Sequence, residues 1–166
     1  MSEPIERLAQ FVATTRWEDI PELVWQHAKV VLRDTLGVIL AGSIQPEVQA
    51  LRVLLLATGG HGATVCAQGG PESDPRTAAL LNGIAGRSIE LCEGHRYVSC
   101  QAAIQIVPTV LAIGEWTQNS GREALMALLL GYDVAVRFGA AMTARPLAHQ
   151  NGQAPLLGAI AAGARL

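Results

Sequence analysis

The most polar stretch of an otherwise apolar chain reads Glu90-Leu-Cys-Glu93-Gly-His95-Arg96-Tyr97. Two carboxyls at this spacing share one face if a helix persists through them, and an imidazole and a guanidinium follow at once. Such a cluster shifts pKa values in both directions, which is what acid–base catalysis requires. The plainer reading is a helix C-terminus with a solvated polar cap. Composition alone favours it, because structural ion-pair networks look the same. A second candidate is Arg145-Pro-Leu-Ala-His149-Gln-Asn-Gly152. It precedes an alanine-rich segment and would hold an imidazole near a helix N-terminus, where anions bind favourably. Its plain alternative is a surface turn. His27 lies on a long helical segment and His61 follows two glycines, and both carry less.

Other chemistries find less support. Cys92, His95 and Cys100 offer soft and borderline metal ligands, with Glu90 or Glu93 as a fourth, but the spacing fits no usual zinc pattern. No metal is expected. There is no GxGxxG or GK[ST] phosphate cradle, and Ser99 and Ser120 lack the GxSxG setting of a hydrolase nucleophile. Lys29 is the single lysine, so a lysine base or Schiff base has one candidate. Three cysteines without a CxxC give no disulfide framework.

The elements that must position these residues read as helices. Ser2 can cap a first one with Ile5, Leu8, Phe11 and Val12 on its apolar face. Asp19-Ile-Pro-Glu22 is a stronger start: Asp19 as the cap, Pro21 in the first turn, Glu22 reaching back. Val24, Ala28, Val31, Leu32, Thr35, Leu36 and Ile39 then recur at helical spacing up to Gly42. Pro46 opens a third helix that ends at Gly59-Gly60. Residues 61–72 are irregular, with Ala63 to Ala67 as a short strand, and Asp74-Pro75 opens a fourth helix carrying Ala78, Leu81, Ile84 and Ala85. The polar stretch from Glu90 to Gln101 interrupts the pattern. A fifth helix spans about 102–116, and Pro108 inside it implies a kink or a late start. Ser120-Gly-Arg-Glu123 is a capping box, with Leu125, Leu128, Leu129, Tyr132 and Val136 behind it. A loop covers about 144–153, and a last helix runs from Leu156 to Leu166 without a stop signal, as if the natural fold continued. The fold class expected is all-α: one irregular helical bundle over residues 1–166.

Composition agrees with that. The chain has 166 residues, half of them apolar, 16% charged and 4% aromatic. It is too apolar for disorder, and its core must be built from Ala, Leu, Val and Ile. A net charge of −2 provides no basic field for nucleic acid or anionic lipid. No continuous apolar run reaches the roughly 18 residues of a membrane span, since Arg33 and Asp34 break the stretch from Val30 to Ala41. The first residues show no apolar signal-peptide core, so a cytoplasmic protein is expected.

Several segments in order resemble the MmgE/PrpD family. They are Leu8-Ala-Gln-Phe-Val, Trp17-Glu-Asp-Ile-Pro21, Ala28-Lys-Val-Val-Leu-Arg-Asp34-Thr-Leu-Gly37-Val-Ile-Leu-Ala-Gly42, Ala63-Thr-Val and Ala78-Ala-Leu-Leu-Asn82-Gly83-Ile-Ala. The acidic stretch 90–97, the run ending Val107-Pro108, Gly131-Tyr-Asp-Val-Ala, His149 and the terminal alanine helix continue the match. The resemblance implies the amino-terminal helical domain of a cofactor-free lyase. Such enzymes remove water or carbon dioxide from small polycarboxylates such as 2-methylcitrate or cis-aconitate. A smaller α+β domain encoded further along would supply the rest of the site, and homodimers are common. By position, Glu90, Glu93 and His149 would be catalytic, with His95, Arg96 and Gln101 binding substrate. Gln101 stands where the family usually has a histidine followed by proline, here Ala102, and Cys92 where an acidic residue is common. A glutamine hydrogen-bonds but cannot shuttle a proton. Arg87, Arg96 and Arg145 are available for carboxylates.

The expectation is therefore a lyase-type domain, weak or inactive as this chain alone. The rival, from another class, is a truncated non-catalytic helical module that associates through the surface the second domain would cover.

Overall fold

The computed structural model describes residues 3–98, 100–142 and 152–166. Within them lie helices α1 (Pro4–Thr14), α2 (Glu22–Gly42), α3 (Pro46–Leu56), α4 (Pro75–Ser88), α5 (Ala103–Trp116), α6 (Gly121–Ala141) and α7 (Ala154–Arg165). A 3-10 turn at Trp17–Asp19 precedes α2. Strands β1 (Ala63–Thr64) and β2 (Glu72–Ser73) pair antiparallel between α3 and α4, with Ala63 opposite Ser73. The chain is all-α, a helical bundle with one small hairpin.

Start signals explain most boundaries. The Asp74 carboxylate accepts from the backbone N–H groups of Arg76 and Thr77, opening α4 as expected. Ser120 and Glu123 form the reciprocal capping box of α6, with the Ser120 N–H donating to Glu123 at 2.7 Å. Two starts differ. Helix α1 begins at Pro4 with Glu3 as its cap, and the Glu6 carboxylate accepts from the Glu3 N–H; Ser2 lies outside the described residues. Asp19 does not cap α2. Its carboxylate turns back to the N–H and guanidinium of Arg16, a cation within reach, and Pro21 itself occupies the cap position. That pairing holds the Asp19 carboxyl below its ordinary value, the Arg16 hydrogen bond being the main cause. Helix α3 stops at Leu56, before Gly59, and the expected strand from Ala63 shortens to Ala63–Thr64. Helix α5 does not start late: Pro108 sits inside it, buried. Helix α7 starts at Ala154, two residues before Leu156.

Small residues set the helix crossings. A Cβ on Gly131 would lie 2.6 Å from the Gly158 carbonyl oxygen, and one on Gly158 would lie 2.5 Å from that of Gly131. Helices α6 and α7 therefore touch backbone to backbone, the most extensive contact in the bundle. Helix α5 runs through the centre, burying Ala103, Ile104, Ile106, Val107 and Val110 between α4, α6 and α7. The α2 pattern is offset from the expected stripe. Trp25 is 2% exposed and stacks on Trp17 at 3.5 Å between ring centroids, while Val24 faces outward. By length and composition α6 could cross a bilayer, yet its Leu125, Met126, Leu128 and Leu130 pack into the bundle.

Candidate active site

The acidic motif is built where α4 ends. Helix α4 stops at Ser88, and Glu90 takes a left-handed conformation with φ of 54°, a common way for a helix to terminate. The helix does not persist to Glu93, so the two carboxyls do not share a face.

Glu90 turns to Arg87, its carboxylate 3.0 Å from Nη2. The same guanidinium donates through Nη1 to Gln101 Oε1 at 2.8 Å and touches Cys92 Sγ at 3.8 Å. The Cys92 thiol donates to the Gly86 carbonyl. Arg87 and Gln101 line an open cleft of about 510 Å³ with Gln105, Pro108 and Thr109 of α5, and Gly152 and Leu156 at the start of α7. Among the described residues no side chain caps α7, so backbone donors of its first turn are left without intrahelical partners.

Glu93 goes the other way. Its Oε1 accepts the Ala103 N–H at 2.7 Å, and its Oε2 accepts the Tyr132 hydroxyl at 2.7 Å. The carboxylate thus sits at the N-terminus of α5, where the helix dipole favours it, and ties α5 to α6. Tyr132 is half-buried, and burial, with the Glu93 charge second, pushes its hydroxyl well above the ordinary range. Burial raises the Cys100 thiol to about 11, again with Glu93 second.

Glu93, His95 and Arg96 line a second concavity of about 700 Å³ between α2 and α6, together with His27, Asp34 and Tyr132. No residue lines both spaces. His95 is fixed by its backbone, its N–H donating to the Cys100 carbonyl at 2.7 Å. Its imidazole Nδ1 is buried without a hydrogen-bond partner. The motif therefore splits: Glu90 and Gln101 gather at Arg87 on one side, and Glu93, His95 and Arg96 lie on the other. His149 and Arg145 fall outside the described residues. Among the described residues no three His, Cys, Asp or Glu side chains come together to hold a metal ion.

Two polar residues with evident structural work escape a reading of the sequence. The helical pattern puts Tyr132 on an apolar stripe, although a buried tyrosine hydroxyl normally needs a partner. Asn82 is 1% exposed and clamps the hairpin to α4: its Oδ1 accepts the Cys66 N–H at 2.8 Å and its Nδ2 donates to the Thr64 carbonyl.

The MmgE/PrpD N-terminal domain family matches residues 6–166. The chain belongs to the MmgE/PrpD family. A curated relative, the cis-aconitate decarboxylase-like protein oryM of Aspergillus oryzae, is 27% identical over 165 residues, which is 95% of this chain and 34% of that protein. The chain thus spans about a third of the length of the curated relative it matches. This MmgE/PrpD domain keeps the all-α architecture that the resemblance implies.

Proposed function

We propose that this domain forms a wall of a lyase site for small polycarboxylates, of the kind that dehydrates 2-methylcitrate or decarboxylates cis-aconitate with side-chain acids and bases. The observation that carries the reading is the Arg87 guanidinium, held by Gln101 and Glu90, which lines an open cleft together with Gly152 and Leu156 at the start of α7. A planar guanidinium binds carboxylates through paired N–H groups. The Glu90 side chain is 68% exposed, so its ion pair is weak and exchangeable. A substrate carboxylate docking on Arg87 displaces Glu90 and leaves that carboxylate beside the substrate as a general base. Gln101 orients the substrate without titrating. His149, carried by the segment that leads to α7, is the proton donor for the leaving hydroxyl.

The test is side-chain NMR of the full chain titrated with propane-1,2,3-tricarboxylate. The Arg87 guanidinium and Gln101 amide signals should shift and saturate together. Shifts confined to other residues, or none, would overturn the reading. A helical interaction module is the second reading, favoured by Leu23, Leu40, Val53 and Leu54, all more than half exposed on α2 and α3. A clean monomer in light scattering that binds no apolar dye would count against it.

A further inference from the structure

Helix α2 carries an apolar face that none of the described residues covers. Leu23, Val30 and Ile44, the last just past the helix end, are spaced by seven and fourteen residues and so lie along one side of it. They are 81%, 48% and 66% exposed. At 1.5 Å per residue the stripe is about 31 Å long. Its width exceeds one helix. Leu91 stands beside Val30 in one shallow groove and Tyr97 beside it in another, and both are exposed. A stable dimer buries about 800 Å² from each partner, more than a single helix face offers, and these two flanks extend the face.

The charges on this face say what covers it. Arg33 and Asp34 are neighbours on its rim, both exposed, and neither makes an ion pair or a side-chain hydrogen bond among the described residues. The point midway between Leu23 and Ile44 falls between these two residues. We propose that a second copy of this chain docks here, α2 against α2 and antiparallel, about a two-fold axis that passes between Arg33 and Asp34. Such an interface is self-complementary, each contact occurring twice. Arg33 of each copy meets Asp34 of the other, and Leu23 of each meets Ile44 of the other. A parallel pairing would set Arg33 on Arg33 and Asp34 on Asp34, and like charges facing one another oppose association. The two ion pairs lie at the surface and add little affinity of their own. They fix direction and register, while the apolar stripe supplies the attraction. No residue lining the Arg87 cleft belongs to α2, so the pairing does not depend on the reading given to that cleft.

The experiment is sedimentation equilibrium of the full chain over a range of concentrations. The mass should rise with concentration to twice the 17.5 kDa of one chain. Arg33→Asp makes the rim doubly acidic and Asp34→Arg makes it doubly basic, so each variant sets like charges together at both contacts. Each should raise the dissociation constant at least about a hundredfold. Mixing the two variants brings opposite charges together at both contacts and should restore a dimer that contains one of each. The combined variant, Arg33→Asp with Asp34→Arg, should pair with itself like wild type. Both positions are exposed, and far-UV circular dichroism checks that every variant keeps the wild-type fold. The proposal is overturned by a wild-type chain that stays monomeric throughout, including one that instead floats with phosphatidylcholine vesicles. It is equally overturned by a wild-type dissociation constant in either folded single variant, which would put the interface elsewhere. A mixture of the two single variants that remains monomeric would refute the antiparallel register.

Discussion

Replacing Glu93 by alanine should destabilise the domain far more than replacing it by glutamine. The carboxylate makes two bonds of 2.7 Å, one to the Ala103 N–H that opens α5 and one to the Tyr132 hydroxyl on α6. Ala103 is fully buried, so water cannot replace the first partner, whereas half-buried Tyr132 recovers part of its loss from solvent. An orphaned buried donor costs about 1–3 kcal/mol, and the lost charge at a helix N-terminus adds about 0.3–1 kcal/mol. With the Tyr132 share discounted, Glu93→Ala should lose about 2–4 kcal/mol, a large part of the roughly 5–15 kcal/mol of a typical domain. In Glu93→Gln the amide oxygen still accepts from Ala103 and the amide nitrogen donates to the tyrosine oxygen. Only charge assistance is lost, at about 1 kcal/mol. Urea denaturation followed by circular dichroism measures both. A Glu93→Ala variant within about 0.5 kcal/mol of Glu93→Gln, below the value of a typical hydrogen bond, would refute the assignment of Glu93 as the strut between α5 and α6.

Other tests follow from the same structure. Cys100 and Tyr132 both have raised folded values, so the folded state holds their protons more tightly and stability must fall as pH rises past their unfolded values. For Cys100 the loss develops between 9.0 and about 11, and Cys100→Ala should flatten this alkaline limb in a denaturation series. Gly131→Ala should cost about 1–3 kcal/mol by overpacking, since its Cβ would meet the Gly158 oxygen at 2.6 Å. Gly37→Ala, with nothing within 4 Å, should gain up to about 1 kcal/mol of helix propensity; thermal melts compare the pair. Asn82→Leu leaves the Cys66 N–H and Thr64 carbonyl without their side-chain partner and should cost about 2–3 kcal/mol by urea denaturation.

Local signals carry most of the fold. The Ser120–Glu123 box and the Asp74 cap are complete within four residues of chain, and both hold as read. Asp19 departs from its cap pattern because its competitor, the Arg16 side chain, lies on the far side of the 3-10 turn and outside any helix-start signal. The candidate site is legible as a cluster but not as a geometry. Which way each carboxyl of the acidic motif points depends on where α4 stops, and that is set by a left-handed residue at Glu90, a position no side-chain pattern marks. The partners of Glu93 lie 10 and 39 residues away. Contacts at that range follow from how α5 and α6 cross, which the sequence alone does not display. The reciprocal approach of Gly131 and Gly158 is the same kind of fact: the small residues are visible, their pairing is not.

The proposed function depends above all on the Arg87 cleft being the polycarboxylate site of this MmgE/PrpD domain. Calorimetry with propane-1,2,3-tricarboxylate on the full chain and on Arg87→Leu probes that dependence without intermediaries. Saturable binding should weaken at least about tenfold in the variant, as the loss of a bidentate guanidinium–carboxylate contact requires, while Arg96→Gln binds like wild type. Equal affinity in wild type and Arg87→Leu, or a loss that follows Arg96 instead, would contradict the assignment.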